Sequence, residues 1–567
     1  MPTAPEPLRI ALAQINSTVG DIAGNAAKIG DSIDRAREAG AQLAVLPELA
    51  LTGYPPEDLL LKTSFIAAAR AALEELASQT TGIAAVVGFP ERADDLYNAA
   101  GLLSGGEVVA VYRKMRLPNY GVFDEQRYFG AGEQPAIFEL NGTKIGITIC
   151  EDIWESGPPA SEEALAGARV IVNLSASPYH AGKGLERERM IAERARHNRA
   201  TFVFCNLVGG QDELVFDGHS VVVDPNGEVL ARGAQFREAL VTCSIEPAAT
   251  RSTAADGGRV ARLGTLEVPS ARAGGSADER GAAVMGAEEE VYAALTTGVR
   301  DYVDKNGFER VVVALSGGID SALVALVAAD ALGADRLACV SMPSRYSSEG
   351  TQSDARAIAQ NLGARLVEIP IEEPFAAFDR ALRSEFSAVE PDLTEENLQA
   401  RIRGTLVMAL SNKFGWLVLT TGNKSELSVG YATLYGDMAG GFAVLKDLFK
   451  GWVYRLVEWR NAHEGRELVP RSVLDRPPSA ELRAEQRDDE SLPPYELLDA
   501  ILTGYVEQDL DAAGLVRQGL PEDEVDRVIR LVDLAEYKRR QAPPGIRIST
   551  KAFGRDRRLP ITNRFRG

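Results

Sequence analysis

Cysteine and histidine are both scarce in this sequence, which has only four of each among 567 residues. The cysteines are widely separated and form no Cys-x-x-Cys pair, lying at Cys150, Cys205, Cys243 and Cys339. So few thiols in so long a chain give no disulfide framework, and their spacing argues against a structural zinc site. We therefore expect a protein of a reducing compartment, namely the cytoplasm.

Long apolar runs and excess positive charge are also missing. No apolar run reaches the roughly 18–20 residues that a membrane-spanning helix needs. The first residues lack the charged-then-apolar pattern of a secretion signal, so we expect neither a leader nor a membrane partner. The formal net charge of −20 argues against a nucleic-acid surface, which needs clustered Lys and Arg, although a local basic pocket for a nucleotide remains possible.

The length exceeds the size at which one hydrophobic core stops growing, so we expect more than one domain. Residues 1–246 alternate short apolar runs with amphipathic stretches and hairpin turns, which predicts a layered α/β sandwich. Residues 247–284 are rich in Ala, Gly and Ser and contain no aromatic residue, which is typical of a linker. Over residues 285–567 strands alternate with helices, which predicts a doubly wound parallel sheet with ligands at the carboxyl ends of its strands.

Three chemically able residues in the first domain each follow a strand-like run. Cys150 ends KIGITIC, and a nucleophile at such a turn is held out of the sheet with its side chain presented to a carbonyl. Glu48 and Lys114 end two other runs. An ammonium can stabilise a thiolate and an oxyanion, while a carboxylate can move protons. Together the three residues could hydrolyse an amide through a thioester.

Each of these residues alone also has an ordinary explanation, since a cysteine at a strand end is usually a small buried hydrophobe and a single Glu or Lys usually lies at the surface. Their segments, LPELALTGYP, YRKMRLPNYGVFDEQRYF and GITICEDIW with NLSASPY, resemble the nitrilase superfamily of carbon–nitrogen hydrolases. The resemblance implies an α-β-β-α sandwich, with Glu48 as general base, Lys114 as oxyanion stabiliser, Cys150 as nucleophile and Glu125 as a carboxylate that positions Lys114. In the branch that uses glutamine, the substrate contacts would be Tyr120, Ser177 and Lys183.

The second domain contains a glycine turn between a strand and a helix, in the order Val311–Leu315 and then SGGIDSA. Glycines let the backbone approach phosphate oxygens closely, and the helix start presents free N–H groups to an anion. Asp320 could hold a magnesium ion that bridges phosphates. A bare Gly-Gly pair would be read only as a tight turn. The whole segment resembles the pyrophosphate-binding loop of the N-type ATP pyrophosphatases, and the GxxxxGK[ST] pattern is absent.

Two downstream segments, ENLQARIRGTLVMALSN and LTTGNKSELSVGYATLYGDMAGGFAVLKDLFK, resemble the NAD synthetase family, and the hydrolase domain points to its glutamine-dependent branch. This resemblance implies hydrolysis of glutamine to supply ammonia and ATP-dependent amidation of deamido-NAD (nicotinic acid adenine dinucleotide), with Mg²⁺. The implied ATP contacts are Leu315, Ser316, Gly317, Gly318, Ile319, Asp320, Ser321, Ala322, Thr421, Lys450 and Ser479. The implied deamido-NAD contacts are Asn397, Arg401, Glu426, Asp437, Lys538 and Lys551. Asp320 and Glu426 are the implied magnesium ligands.

Several of these residues, Asn397, Asp437 and Lys551 above all, could also be ordinary polar residues in weak ion pairs. Two other functions stay open. One is amidation of a different carboxylate, as in guanylate synthesis, although a glutaminase histidine after the cysteine is not found. The other is an amidase fused to a nucleotide-sensing module, against which Asp320, Thr421 and Glu426 argue. The family's habit implies a homo-oligomer, and the presence of both domains in one chain predicts an enclosed route for ammonia.

Overall fold

The structure is a computed structural model, and it describes residues 7–247, 258–269, 281–387, 389–483, 486 and 492–564. The chain divides into two compact units. The first comprises Met1–Gln211 and Val215–Met285, and the second comprises Asp212–Leu214 and Gly286–Gly567. None of the helices in the described part of the chain is both long and apolar enough to cross a membrane.

Where the structure describes it, the first unit has two large sheets and four helices. The six-stranded sheet has the order β14-β1-β2-β3-β4-β5, with β1 (Leu8–Gln14), β2 (Leu43–Val45), β3 (Ala84–Arg92), β4 (Leu96–Ser104), β5 (Glu107–Arg113) and β14 (Ala239–Ile245). The seven-stranded sheet has the order β13-β12-β9-β8-β7-β6-β15, with β6 (Ala136–Leu140), β7 (Thr143–Ile149), β8 (Val170–Ser175), β9 (Thr201–Asn206), β12 (Val221–Val223), β13 (Val229–Arg232) and β15 (Ala261–Leu266). Strands β10 (Val208–Gln211) and β11 (Leu214–Asp217) form a hairpin. The helices are α1 (Ile22–Glu38), α2 (Thr63–Gln79), α3 (Ala160–Leu165) and α4 (Lys183–Asn198).

The predicted α-β-β-α sandwich is confirmed, and its cause is visible in β1. Successive side chains of a strand point to opposite faces. Ile10 and Leu12 lie in the core between the two sheets, while Ala11 and Ala13 lie in the core under α1 and α2. Helices α3 and α4 cover the outer face of the seven-stranded sheet in the same way. Because both faces of these strands are buried, they appear in the sequence as continuous apolar runs.

The predicted linker differs from the structure in its central part. Residues 261–266 form β15, which pairs in parallel with β6 at the edge of the seven-stranded sheet. Leu266 belongs to the core between the sheets, and Ala261 and Leu263 pack against that core. The average composition of residues 247–284 does not reveal these apolar positions. Residues 248–257 and 270–280 of the predicted linker lie outside the described residues.

The second unit contains a five-stranded, fully parallel sheet in the order β18-β17-β16-β19-β20. Its strands are β16 (Val311–Ala314), β17 (Leu337–Ser341), β18 (Arg365–Glu368), β19 (Leu417–Thr420) and β20 (Phe442–Ala443). The doubly wound parallel sheet is thus confirmed. The strand order reverses between β16 and β19, and ligands of such sheets bind outside the carboxyl ends of the strands at this reversal.

The described residues of this unit form twelve further helices: α5 (Ala287–Lys305), α6 (Ile319–Leu332), α7 (Glu349–Leu362), α8 (Glu372–Phe386), α9 (Leu393–Phe414), α10 (Lys424–Val429), α11 (Lys450–Glu464), α12 (Arg471–Asp475), α13 (Tyr495–Leu502), α14 (Ala512–Arg517), α15 (Glu522–Leu534) and α16 (Glu536–Arg539). Helix α9 packs Ile402 and Val407 against Val312 and Val418 of the sheet. Helices α13, α14 and α15 share a separate apolar cluster.

Candidate active sites

The first site centres on the turn that follows β7. Cys150 opens a short 3-10 turn, Cys150–Ile153, and has a φ of 41°. This is a left-handed conformation that L residues rarely adopt, and such strain at a strand end is typical of a presented nucleophile. Cys150 is 2% exposed. Burial raises the pKa of its thiol well above the ordinary value, Glu48 raises it further, and Lys114 acts against both. The thiol is therefore protonated at rest, and its reaction requires a base.

A buried ammonium lies between two buried carboxylates. Lys114 directly follows β5, and its Nζ donates to Glu48 Oε1 at 2.6 Å and to both oxygens of Glu125 at 2.9 Å. The structure thus brings together the predicted base, cation and accessory carboxylate. Burial by itself would lower the pKa of Lys114, but Glu125 and Glu48 outweigh it and raise that pKa well above its ordinary value. Lys114 is therefore a permanent cation, suited to an oxyanion.

Glu48 follows β2 and is held by neutral donors as well as by Lys114. Its Oε1 accepts a hydrogen bond from Asn98 Nδ2 at 2.7 Å, and its Oε2 accepts one from the Ala176 backbone N–H at 3.0 Å. The backbone around Glu48 lies so close to β3 that a Cβ at Gly88 would come within 2.4 Å of Leu49 N. The glycine in β3 is thus what allows the base to reach the centre of the site.

Glu125 is the second carboxylate that pairs with Lys114. Burial raises the pKa of its carboxyl above the ordinary value, and Lys114 only partly offsets this. The Tyr54 hydroxyl donates to Glu125 Oε1 at 3.0 Å. The raised pKa makes Glu125 a carboxyl that can take up a proton within this cluster.

The three predicted glutamine contacts lie around the turn of Cys150. The hydroxyl of Tyr120 donates to Glu151 Oε1 at 3.0 Å, and Tyr120 is 58% exposed. Lys183 opens α4 with its Nζ 4.0 Å from the centre of the Trp154 ring. Ser177 is buried just beyond the end of β8. Glu151 and Trp154 were missed as site residues, although both stand in the GITICEDIW segment.

The second site is the glycine turn after β16. The hydroxyls of Ser316 and Ser321 lie 3.1 Å apart, and Ser316 Oγ also accepts from the Gly318 backbone N–H at 3.2 Å. Gly317 has a φ of 84°, and a Cβ there would lie 2.1 Å from Thr351 O, so only glycine fits. Gly318 caps α6 without a side-chain hydrogen bond. The first N–H groups of α6 therefore remain available to an anion.

A cation and two carboxylates face this turn. Lys450 opens α11, and its Nζ donates to Asp320 Oδ2 at 2.5 Å and to Glu426 Oε1 at 3.3 Å. Asn423 Nδ2 donates to Asp320 Oδ1 at 2.8 Å. Burial would lower the pKa of Lys450, but Asp320 and Glu426 raise it overall. No cluster of three or more His, Cys, Asp or Glu suited to a metal occurs in the described part of the chain.

A cavity of about 670 Å³ opens at the carboxyl ends of β16 and β19. It gathers most of the residues predicted to bind ATP and deamido-NAD: Leu315, Ser316, Gly317, Gly318, Ile319, Asp320, Ser321, Asn397, Thr421, Glu426, Asp437, Lys450, Ser479 and Lys538. Such a cavity is large enough for a nucleotide and a second ligand group.

Three predicted residues do not line this cavity. Ala322 is buried inside α6. Lys551 pairs its ammonium with Asp509. Arg401 is not among the lining residues, and its Nε donates to Leu434 O at 3.2 Å. The arginine two positions further along α9, Arg403, does line the cavity, and burial lowers the pKa of its guanidinium to about 10. Because residues two apart on a helix face different sides, the motif alone could not distinguish these two arginines.

Comparison with known proteins matches both units. The carbon-nitrogen hydrolase family model matches residues 9–255, and the NAD synthase family model matches residues 291–542. The glutamine-dependent NAD(+) synthetase of Thermotoga maritima is 48% identical over 570 residues, covering 99% of this chain and 99% of the relative. The protein of the same name from Aquifex aeolicus is 46% identical over 567 residues, covering 98% of this chain and 100% of its own.

A solved structure is similar over the same extent. The glutamine-dependent NAD+ synthetase from Acinetobacter baumannii, in complex with adenosine diphosphate, is 39% identical with a TM-score of 0.76. The match covers 98% of this chain and 99% of that one. The similarity therefore extends through both units and is not confined to either.

Replacing Lys114 by Met should destabilise the first unit strongly. The change leaves Glu48 and Glu125 buried without their cation, and breaking a buried ion pair costs about 3–5 kcal/mol. Urea unfolding measures this free energy. Lys28→Met is the matched control, because Lys28 pairs with Glu238 in a half-exposed position, and its loss should cost less than about 1 kcal/mol. Equal costs for the two variants would contradict the role given to Lys114.

Proposed function

The chain belongs to the glutamine-dependent NAD(+) synthetase family, and from this premise we propose how its two sites divide the reaction. The protein is a ligase that takes nitrogen from glutamine and uses ATP to convert deamido-NAD into NAD. The observation that carries the proposal is the pairing, in one chain, of the Lys114–Glu48 cluster beside Cys150 with the cavity at the Ser316–Ser321 turn.

In the first unit, Cys150 attacks the side-chain amide carbon of glutamine. Glu48 takes the thiol proton, which is needed because burial keeps the thiol protonated. The ammonium of Lys114 stabilises the negative oxygen of the tetrahedral intermediate. Glu48 returns the proton to the leaving nitrogen, so that ammonia departs and a glutamyl thioester remains. Glu48 then activates water, which releases glutamate and restores the thiol.

Glutamine binding needs one cation and one anion, because its α-carboxylate and α-ammonium are both charged. Lys183 supplies the cation, and Trp154 fixes its position through the 4.0 Å contact between Nζ and the ring centre. Glu151 supplies the anion, with the hydroxyl of Tyr120 beside it at 3.0 Å. Ser177 contributes a polar group at the end of β8. Binding both charges selects a free amino acid over a simple amide.

In the second unit, the Ser316–Ser321 turn and the start of α6 bind the phosphates of ATP, while Lys450, Thr421 and Ser479 contact the nucleotide. The nicotinate carboxylate of deamido-NAD attacks the α-phosphorus, pyrophosphate leaves, and ammonia displaces AMP to form the amide. Adenylation is needed because a carboxylate is a poor acyl donor, whereas a mixed anhydride has a good leaving group. The lining residues Asn397, Arg403, Asp437 and Lys538 contact the dinucleotide, and Arg403 takes the place predicted for Arg401.

Magnesium fits the carboxylates of the second site. Mg²⁺ prefers one or two carboxylates together with phosphate oxygens, and Asp320 and Glu426 are two carboxylates that already meet at Lys450. These residues would hold the ion, and when bound it would neutralise phosphate charge. We also propose a cytoplasmic location, which the four free cysteines support.

Replacing Cys150 by Ala should separate the two activities. The variant should lose NAD formation from glutamine by at least about 100-fold, because no thioester can form, and should keep NAD formation from ammonium chloride. NAD is assayed with ATP, magnesium, deamido-NAD and one nitrogen source, each omitted in turn. Cys339→Ala is the control, because this buried thiol lies in β17 of the second unit. Equal loss from both nitrogen sources would contradict the division.

We propose that ammonia passes between the sites without mixing with solvent. Both activities belong to one chain, and free ammonia would be protonated and lost in water at neutral pH. With 15N-amide glutamine and excess unlabelled ammonium, mass spectrometry should find mostly 15N in the NAD formed. Cys150→Ala under the same conditions should give only 14N. Extensive 14N incorporation by the unchanged enzyme would contradict an enclosed route.

We further propose that the enzyme is a homo-oligomer that uses α8. This helix contains no buried residue, and large apolar side chains are exposed on it, after it and at the first residue of α9: Phe378, Phe386, Val389 and Leu393. Large apolar side chains exposed close together in the chain are candidates for contact with a second copy. Phe378→Asp should shift sedimentation velocity to a smaller species, whereas Leu534→Asp, at a 50% exposed site on α15, should not. An unchanged sedimentation coefficient for Phe378→Asp would argue against this interface.

A further inference from the structure

Asp152 is a buried carboxylate that the reaction as described does not use. It lies in the turn that begins at Cys150, and it is fully buried. Its Oδ2 accepts from the Ile149 backbone N–H at 2.9 Å and from the Tyr112 hydroxyl at 2.8 Å. Its Oδ1 accepts from the backbone N–H groups of Met115 at 3.1 Å and Arg116 at 2.9 Å. One carboxylate therefore receives hydrogen bonds from two separate chain segments.

These two segments carry the two groups that must act on one carbonyl. Ile149 directly precedes Cys150, and Met115 directly follows Lys114. The ammonium of Lys114 is bound to Glu48 and Glu125, which come from other segments. Those ion pairs fix the position of the Lys114 ammonium, but they do not connect its backbone to the turn that begins at Cys150. Asp152 makes that connection.

We propose that Asp152 is a positioning residue for glutamine hydrolysis, whose carboxylate holds the backbone beside Lys114 against the strained turn that presents Cys150. The inference rests on the proposed function of the first unit. The thiol must reach the amide carbon while the ammonium reaches the oxygen of the same carbonyl. A displacement of about 1 Å between such groups can cost about 100-fold in rate. The φ of 41° at Cys150 also persists only if its surroundings enforce it, and the bond to Ile149 does so.

The charge of Asp152 matters as well as its shape. Three of its four donors are backbone N–H groups, which can only donate. An ionised carboxylate has enough acceptor sites for all four, and charge-assisted bonds are the stronger kind. Burial raises the pKa of Asp152 to about 6, which leaves the group ionised at neutral pH. An amide of equal size cannot replace it, because its NH₂ group would face a donor.

Asp152→Asn tests the inference. The kcat for glutamine hydrolysis should fall by about 100-fold, while the KM for glutamine changes less than about threefold, because the carboxylate of Glu151 is held by the Tyr120 hydroxyl and not by any of the four donors to Asp152. NAD formation from ammonium chloride should be unchanged, which shows that the second unit is intact. Tyr112→Phe should lower kcat by only about three- to tenfold, because it removes one of the four hydrogen bonds to Asp152 and leaves the three backbone bonds.

Glu163→Gln is the matched control within the same unit. Glu163 is also a fully buried acid, but it bonds the Ala136 N–H at 3.4 Å and neither reacting segment. Burial raises the pKa of its carboxyl well above the ordinary value, which favours the neutral form that Gln resembles. Its kcat and KM should stay within about twofold of the unchanged enzyme.

Three outcomes would overturn the inference: an unchanged kcat in Asp152→Asn, a rise in KM that accounts for the whole loss, or a loss in Glu163→Gln as large as in Asp152→Asn. If Asp152→Asn does not fold, Tyr112→Phe decides, and full activity of that variant counts against the inference. Failure of the proposed function is distinguishable, because the unchanged enzyme would then hydrolyse no glutamine and Cys150→Ala would have no effect.

Discussion

One buried ammonium, that of Lys114, is the constraint on which the first site depends. Removing a charge from water costs several kcal/mol even after relaxation, so Lys114 requires the carboxylates of Glu48 and Glu125. The same low-polarity surroundings keep the Cys150 thiol protonated. The ammonium therefore does not produce a standing thiolate, contrary to the expectation from its nearness. The ammonium pairs with Glu48 and Glu125 instead, and under the proposed mechanism negative charge on sulfur arises only during attack.

Both sites are formed at a sharp turn after a buried strand, but the residue at each turn is different. Each lies where a buried strand ends and the chain must turn sharply. At Gly317 the turn presents its backbone, and a Cβ would collide with Thr351, so glycine is required. At Cys150 the turn presents a side chain, so a non-glycine residue is kept in a left-handed conformation at the expense of strain. Hydrogen bonds to neighbouring residues offset the backbone strain at Cys150, whereas glycine adopts its left-handed conformation at position 317 without such strain.

Much of this arrangement could be predicted from local sequence. Strands buried on both faces give continuous apolar runs, and these runs mark the strand ends. The sequence therefore predicts Cys150, Lys114 and the Ser316–Ser321 turn as parts of a hydrolase site and a nucleotide site. Long-range features could not be found in this way. The strand β15 has a core residue, Leu266, inside a stretch whose average composition is that of a linker. Arg403 lines the cavity rather than Arg401 because helix α9 is rotated by its packing against the sheet, and rotation is a tertiary property. Glu151 and Asp152 stand next to the nucleophile in sequence, but their roles depend on Tyr120 and on the segment after Lys114.

The ion pairs of Lys450 have a consequence for the resting state of the second unit. Asp320 and Glu426 would repel each other in a cavity awaiting a polyanion, yet the ammonium between them cancels most of that repulsion. Lys450 acts as a counterion that lies between the two acids. Under the proposed function, bound phosphates would offer this ammonium new partners, and Asp320 and Glu426 would then be free to hold a magnesium ion. Binding would exchange partners within an existing set of charges, and the two acids would be compensated throughout.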